Sequence, residues 1–372
     1  MVTEGEGRLL ALDLFRGLTV AGMIFVNNPG DWGHVAWPFG HAEWHGATPT
    51  DLIFPFFLFI VGTSAVLSFE KRETQGADRA ALLRHALVRG LTIAVVGWLM
   101  AAYPFTLERW QRLRVPGVLV RIGVVYALGA LVLLALRKRK ALGLALACTV
   151  LLLLHTALVL GTGYDLTREN NVQRAVDLAV LKGHLWKPDW DPEGIVSTLS
   201  ALATLLTGAL AGLLLTRGQQ RSLRTRIGLL AAWGALATFA GLALHPVLPL
   251  NKNLWTASYV LFTSGAAALV LALCLYVVDV RGVSRPFSFF VTFGRNPFLA
   301  FVLSGLLAKT MGLVKWAGES GKPISLSRRI FVNLFGSLPD PYLASHAYAA
   351  ATLLFWWIVL RAFEKRGWYW KV

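Results

Sequence analysis

His41 lies in the run His41-Ala42-Glu43-Trp44-His45-Gly46, preceded by Asn27-Asn28-Pro29-Gly30 and followed by Asp51-Leu52-Ile53-Phe54-Pro55. An imidazole titrates near neutrality and is the usual general base toward an amine or a hydroxyl. An asparagine amide can donate to a developing oxyanion, and a carboxylate can fix the tautomer of an imidazole. Asp51 has two readings on this basis: it serves His41, or it caps the helix that follows. His41 and His45 are spaced i,i+4, but the order His-x-Glu-x-His differs from the zinc-protease pattern and no third ligand is evident. No metal is expected.

The elements that must position these residues are membrane helices. The chain has 372 residues, 56% of them hydrophobic and 15% charged, with a mean hydropathy of +0.58. Its apolar residues fall into about ten blocks long enough to cross a bilayer, at roughly 9–28, 51–69, 85–103, 117–136, 141–160, 195–216, 227–245, 254–277, 288–311 and 346–363. An all-α, polytopic bundle of about ten transmembrane helices is expected, as one integral-membrane domain over 1–372. The first residues lack the basic region and cleavage site of a signal peptide, so block 1 is expected to be retained as a helix. Cys148 and Cys274 both fall inside spans and say nothing about redox compartment.

The formal charge of +16 is distributed unevenly. Placing the N-terminus inside puts Arg8, Lys71, Arg72, Arg79, Arg84, Arg89, the run Arg137-Lys138-Arg139-Lys140, Arg217, Arg221, Arg224, Arg226, Arg281, Arg285, Arg361, Lys365, Arg366 and Lys371 on the cytoplasmic face, about 20 basic residues against about 12 outside. N-in, C-in topology follows, with the His41 loop outward and free of Lys and Arg. The basic excess reads as topology and contact with anionic lipid, not as a nucleic-acid surface.

Charge inside a span needs a partner, a cavity or the interface. Asp13 and Arg16 are at i,i+3 and can neutralise each other. Asn27, eleven residues beyond Arg16, returns to within about 20° of the same helical face some 16 Å further along, so one polar stripe would run toward the outward loop. Arg114 and Arg121 are related by a similar small rotation. Gly294-Arg295-Asn296-Pro297 reads as a helix start at the basic face, where Arg295 meets a phosphate or snorkels. Lys252, just before Trp255, reads as an interface anchor or a substrate contact. Asp191-Pro192-Glu193-Gly194 reads as the N-cap of the sixth span.

These motifs, with Leu12-Asp13-Leu14-Phe15-Arg16-Gly17, Arg114-Val115-Pro116-Gly117-Val118-Leu119-Val120-Arg121, and Lys252-Asn253-Leu254-Trp255-Thr256, resemble in order the heparan-α-glucosaminide N-acetyltransferase family. The resemblance spans nearly the whole chain and is of a bacterial type lacking the family's N-terminal luminal portion. It implies a multi-pass enzyme of a bacterial inner membrane that moves acetyl from cytosolic acetyl-CoA to an amino sugar on the outer side. By that resemblance His41 is the catalytic histidine and Asn27 the active-site asparagine, with Asp51 beside them. Arg16, Arg121, Arg295 and Asn296 would bind the cofactor, and Trp44, Lys252 and Trp255 the acceptor. A homo-oligomer is compatible with the sequence. The competing class is a sugar transporter, since ten spans with buried charges also describe a carrier; the absence of an internal repeat weighs against it.

Overall fold

The computed structural model describes residues 9–136, 140–217, 221–317 and 323–370. Arg8, Arg137, Lys138, Arg139 and Lys371, counted above toward topology, lie outside the described residues. The chain is almost wholly helical. Eight helices among the described residues are long and apolar enough to cross a membrane, or nine if one bent pair is a single span. Two differences separate this from ten blocks. The first helix, α1 (Leu10–Val26), has only 17 residues. The ninth block is broken: α11 (Ser288–Arg295) and α12 (Pro297–Leu313) meet at a 73° bend. Proline lacks the N–H that would continue the ladder, and the residue before it disfavours helical geometry, so the break falls at Asn296-Pro297.

The described chain forms two compact units. One comprises Met1–His41, Thr48–Ile53 and Val277–Lys371. In it α1 packs along α11 and contacts α14 (Pro341–Lys365), and α12 leads through a small antiparallel hairpin, β1 (Lys315–Ala317) and β2 (Pro323–Ser325), to α13 (Leu326–Phe335). The second comprises Ala42–Ala47 and Phe54–Tyr276. It contains most of α2 (Ile53–Thr74), then α3 (Arg79–Ala102), the short α4 (Leu107–Gln111), α5 (Val118–Ala135), α6 (Lys140–Gly161), α7 (Val172–Leu181), α8 (Ser197–Arg217), α9 (Leu223–Leu244) and α10 (Ala257–Leu275). There α3 pairs with α5 and α9 with α10, while α5, α6 and α10 surround α8.

In a bilayer, lipid tails are as apolar as leucine, so helices associate where small residues let backbones approach. α1 and α11 do this through Gly17 and Gly294. A Cβ on Gly17 would lie 1.8 Å from the Phe290 carbonyl oxygen, and one on Gly294 would lie 1.8 Å from that of Asp13. Neither backbone carbonyl can give way cheaply. This contact fixes where Arg16 and Arg295, on the two helices, can be.

Gly294→Val should therefore lower the thermal midpoint of the detergent-purified protein, by the equivalent of about 1–3 kcal/mol for overpacking. Gly228→Ala, at a helical glycine with open space around its Cα, should not lower it. Equal midpoints for the wild type and Gly294→Val would contradict the close approach.

Candidate active site

His41 and Asp51 are joined directly. The His41 Nδ1 is 2.7 Å from Asp51 Oδ1, with about half of the histidine side chain exposed and the carboxylate 1% exposed. The other oxygen, Oδ2, accepts from the Thr48 backbone N–H at 3.1 Å and lies 3.1 Å from the Thr48 hydroxyl. Asp51 thus folds back on the residue before the 3-10 turn Pro49–Leu52 as a capping-box acid does. One oxygen of Asp51 thus contacts His41 and the other the residue that starts the turn. An ionised carboxylate only accepts, so this contact forms when the imidazole donates from Nδ1.

The backbone on each side of His41 is tied down. The Thr48 hydroxyl donates to the Gly40 carbonyl at 2.6 Å, and the Thr50 hydroxyl to the Pro38 carbonyl at 3.0 Å. Earlier in the loop, Ser345 on α14 accepts from the Asp31 N–H and donates to the Asp31 carbonyl, while the Ala36 N–H donates to His346 Nε2 at 3.3 Å. The sequence carries a signal for Thr48, in the Thr48-x-x-Asp51 spacing. Nothing local announces Ser345 or His346, which lie some 310 residues from their partners. Asn27 is the C-cap of α1 and is exposed, whereas its neighbour Asn28 turns its amide back to the Ile24 carbonyl.

Arg16 bonds Asp13 at 2.9 Å and the Gly294 carbonyl at 3.2 Å. The ion pair expected from the i,i+3 spacing is present, and Arg16 is brought to the residue next to Arg295. Arg295 does not open a helix as the sequence suggested. It ends α11, where its guanidinium pairs with Glu364 of α14, itself held by Arg361 at 2.6 Å. Positive charge at a helix C-terminus complements the macrodipole. Asn296 is 1% exposed and spends its amide on the Trp368 carbonyl and the Trp370 N–H. The side chains of Arg16 and Arg295 remain 20% and 26% exposed, whereas Asn296 is enclosed.

His41, Asp51, Asn27, Arg16, Arg295 and Asn296 all belong to the first unit, and Trp44, Arg121, Lys252 and Trp255 to the second. Arg121 is 3% exposed, donates to the Gly194 carbonyl and Ser197 hydroxyl, and lies 5.2 Å over the Trp255 ring. Trp255, 1% exposed and with positive φ, donates its indole N–H to Thr204. Its buried ring is a packing element in this structure. Lys252 is half-buried in the turn leading to it. Trp44 donates its indole N–H to the Leu166 carbonyl at 2.8 Å. His45 bonds Asn251, and burial followed by the nearby His245 holds its imidazole below the ordinary range. Among the described residues, no group of three His, Cys, Asp or Glu is placed to hold a metal ion.

Asp191 is not a helix N-cap, since α8 begins only at Ser197. Its carboxylate instead receives a two-pronged contact from Arg114, at 2.7 and 2.6 Å, and Arg114 also pairs with Glu193. Arg114 precedes α5, so it does not share a helical face with Arg121; both reach the 191–197 segment by different routes. Buried Asp177 completes this network, accepting from the Ile195 N–H at 2.9 Å.

Burial pushes the Asp177 carboxyl up to about 6, with the Ile195 N–H opposing and Asp191 adding to the rise. A carboxyl raised from 3.8 binds more protons folded than unfolded, so its contribution favours the fold most below about pH 4 and is lost as pH rises through 6. Asp177→Asn should flatten that decline in thermal midpoint between pH 4 and 6. An undiminished decline in the variant would place the titration elsewhere.

Residues 8–241 match the family model described as "Heparan-alpha-glucosaminide N-acetyltransferase, catalytic". The mouse heparan-alpha-glucosaminide N-acetyltransferase is 30% identical over 357 residues, covering 80% of this chain and 53% of the mouse protein. The human heparan-alpha-glucosaminide N-acetyltransferase is 30% identical over 351 residues, covering 79% of this chain and 52% of its own length. The chain therefore spans about half the length of these curated relatives. With a family match over more than half of its residues, including the His41–Asp51 pair, the chain belongs to the heparan-alpha-glucosaminide N-acetyltransferase family.

Proposed function

We propose that this multi-pass membrane protein is an acetyltransferase that moves acetyl from cytosolic acetyl-CoA to the amine of a glucosamine-type sugar on the outer side of a bacterial inner membrane. The observation that carries this reading is the 2.7 Å contact between His41 Nδ1 and the buried Asp51 carboxylate. It orients one exposed imidazole and leaves Nε2 as the basic atom, which is what an amine nucleophile requires. N-in, C-in topology, favoured by the distribution of Lys and Arg, puts that imidazole on the outer face.

In the reaction, His41 Nε2 takes a proton from the attacking amine as its nitrogen bonds to the thioester carbonyl carbon. The Asn27 amide donates to the resulting oxyanion, collapse breaks the C–S bond, and the CoA thiolate takes up a proton. In a two-step route through an acetylated imidazole the same Nε2 is the acceptor atom. Asp51 stabilises the imidazolium in either case. Coenzyme A carries charge that a bilayer excludes, and Arg16 and Arg295, gathered by the Gly17–Gly294 contact, supply guanidiniums suited to its phosphates. Arg121 acts at a distance by holding the 194–197 segment, Trp255 through its bond to Thr204, and Asn296 by holding the C-terminal segment. Trp44 and Lys252 face the acceptor.

Purified protein given radiolabelled acetyl-CoA and glucosamine should release thiol and label the sugar. His41→Ala should lose about 10²–10⁴ of the rate while retaining CoA affinity, since a loop base contributes to proton transfer and little to packing. Absence of thiol release from the wild type, or undiminished transfer by the variant, would overturn the reading.

A further inference from the structure

The stretch that leads from α1 to His41 has no core of its own. No residue from 27 to 41 is buried, and the indoles of Trp32 and Trp37 are each 70% exposed. A segment of this kind opens locally at little cost unless polar contacts hold it. Asp31 gathers several such contacts on one residue. Its backbone N–H donates to the Ser345 hydroxyl oxygen at 3.1 Å, its carbonyl accepts from that hydroxyl at 2.9 Å, and the preceding Gly30 N–H donates to the Ser345 carbonyl at 3.1 Å. Its carboxylate works in another direction. Oδ1 accepts from the Gly33 N–H at 3.0 Å, while Oδ2 lies 3.2 Å from His34 Nδ1 and 3.3 Å from the Arg328 guanidinium of α13. Arg328 is itself set 5.1 Å over the Phe331 ring, and Gly30 fits beside that ring only because it has no side chain: a Cβ there would lie 2.2 Å from it. One residue thus ties the loop to both α13 and α14, and all of these groups belong to the first unit.

The hold continues toward His41. Ala36 precedes the 3-10 turn Trp37–Phe39 and donates its N–H to His346, the neighbour of Ser345 on α14, and the Phe39 ring centroid lies 5.0 Å from that imidazole. Gly40 ends the turn, its carbonyl takes the Thr48 hydroxyl, and His41 follows. A lone exposed ion pair contributes little, but Asp31 sits in a set of contacts. The Gly33 N–H first, with His34 and Arg328 adding and partial burial opposing, holds its carboxyl below the usual carboxylate range, so the loop binds the ionised form.

We propose that Asp31 and Arg328 are positioning residues for acetyl transfer: through Asp31, α13 and α14 hold the 31–40 segment and with it the place of the His41 imidazole. The consequence for catalysis rests on the acetyltransferase reading, whereas the hold itself can be measured without turnover.

The experiment pairs hydrogen exchange of the substrate-free, detergent-purified protein with transfer kinetics at neutral pH. Asp31→Asn and the milder surface change Arg328→Gln should each speed amide exchange across 32–40 by about two- to fivefold, the scale of a partly exposed ion pair, with the thermal midpoint little changed. Each should lower kcat by a similar factor and leave KM for acetyl-CoA unaltered. The double variant should add nothing to Asp31→Asn, since both remove one contact, and Asp31→Glu should recover part of kcat. Unchanged exchange across 32–40 in both single variants would overturn the hold, whether or not the wild type transfers acetyl. A loosened loop with undiminished kcat, or a loss carried by KM alone, would overturn the positioning role while leaving the acetyltransferase reading intact. Loosening by both variants in a protein that transfers no acetyl group would uphold the hold and reject that reading.

Discussion

A carboxylate as enclosed as Asp51 must have its oxygens satisfied, and the way this is done sets the geometry of the His41 loop. Oδ2 takes the Thr48 N–H and Oδ1 takes His41 Nδ1. The first bond starts the turn that leads into α2; the second orients the imidazole. Each of these bonds to a buried carboxylate contributes on the order of 1.5–3 kcal/mol. The same demand for satisfaction makes the loop rigid without an apolar core of its own, because Thr48 and Thr50 use their hydroxyls on the carbonyls of Gly40 and Pro38.

Charge inside the first unit follows a parallel logic. Asp13 pairs with Arg16, and Glu364 with both Arg295 and Arg361, while Arg16 also reaches the Gly294 carbonyl, so these contacts join α1, α11 and α14. Membrane helices tolerate such groups when they face one another. Gly17 and Gly294 let the two backbones approach closely enough for Arg16 to reach the carbonyl beside Arg295. Each of the two partly exposed guanidiniums is thus held by a protein carboxylate, Arg16 by Asp13 and Arg295 by Glu364.

Much of this was legible in the sequence because it depends on local spacing. Hydropathy located the spans, the i,i+3 spacing foretold the Asp13–Arg16 pair, and His41 and Asp51 stood out as polar groups between apolar blocks. What was not legible depends on contacts between distant segments. The helical reading of 288–311 followed its apolar composition, but Pro297 broke it and turned Arg295 from a helix start into a helix end. Asp191 carried the marks of an N-cap, yet Arg114, 77 residues earlier, claimed its carboxylate and α8 started later. The supporting Ser345 and His346 had no local pattern to reveal them.

The central claim is that Asp51 fixes the tautomer of His41 so that Nε2 is the base. Nitrogen-15 NMR of the histidine-labelled protein in detergent, with His41 assigned by its loss in His41→Ala, tests this directly. At neutral pH the account predicts a protonated Nδ1 and an unprotonated Nε2, a pattern weakened in Asp51→Asn. A His41 resonance showing the proton on Nε2 and the lone pair on Nδ1 would contradict it.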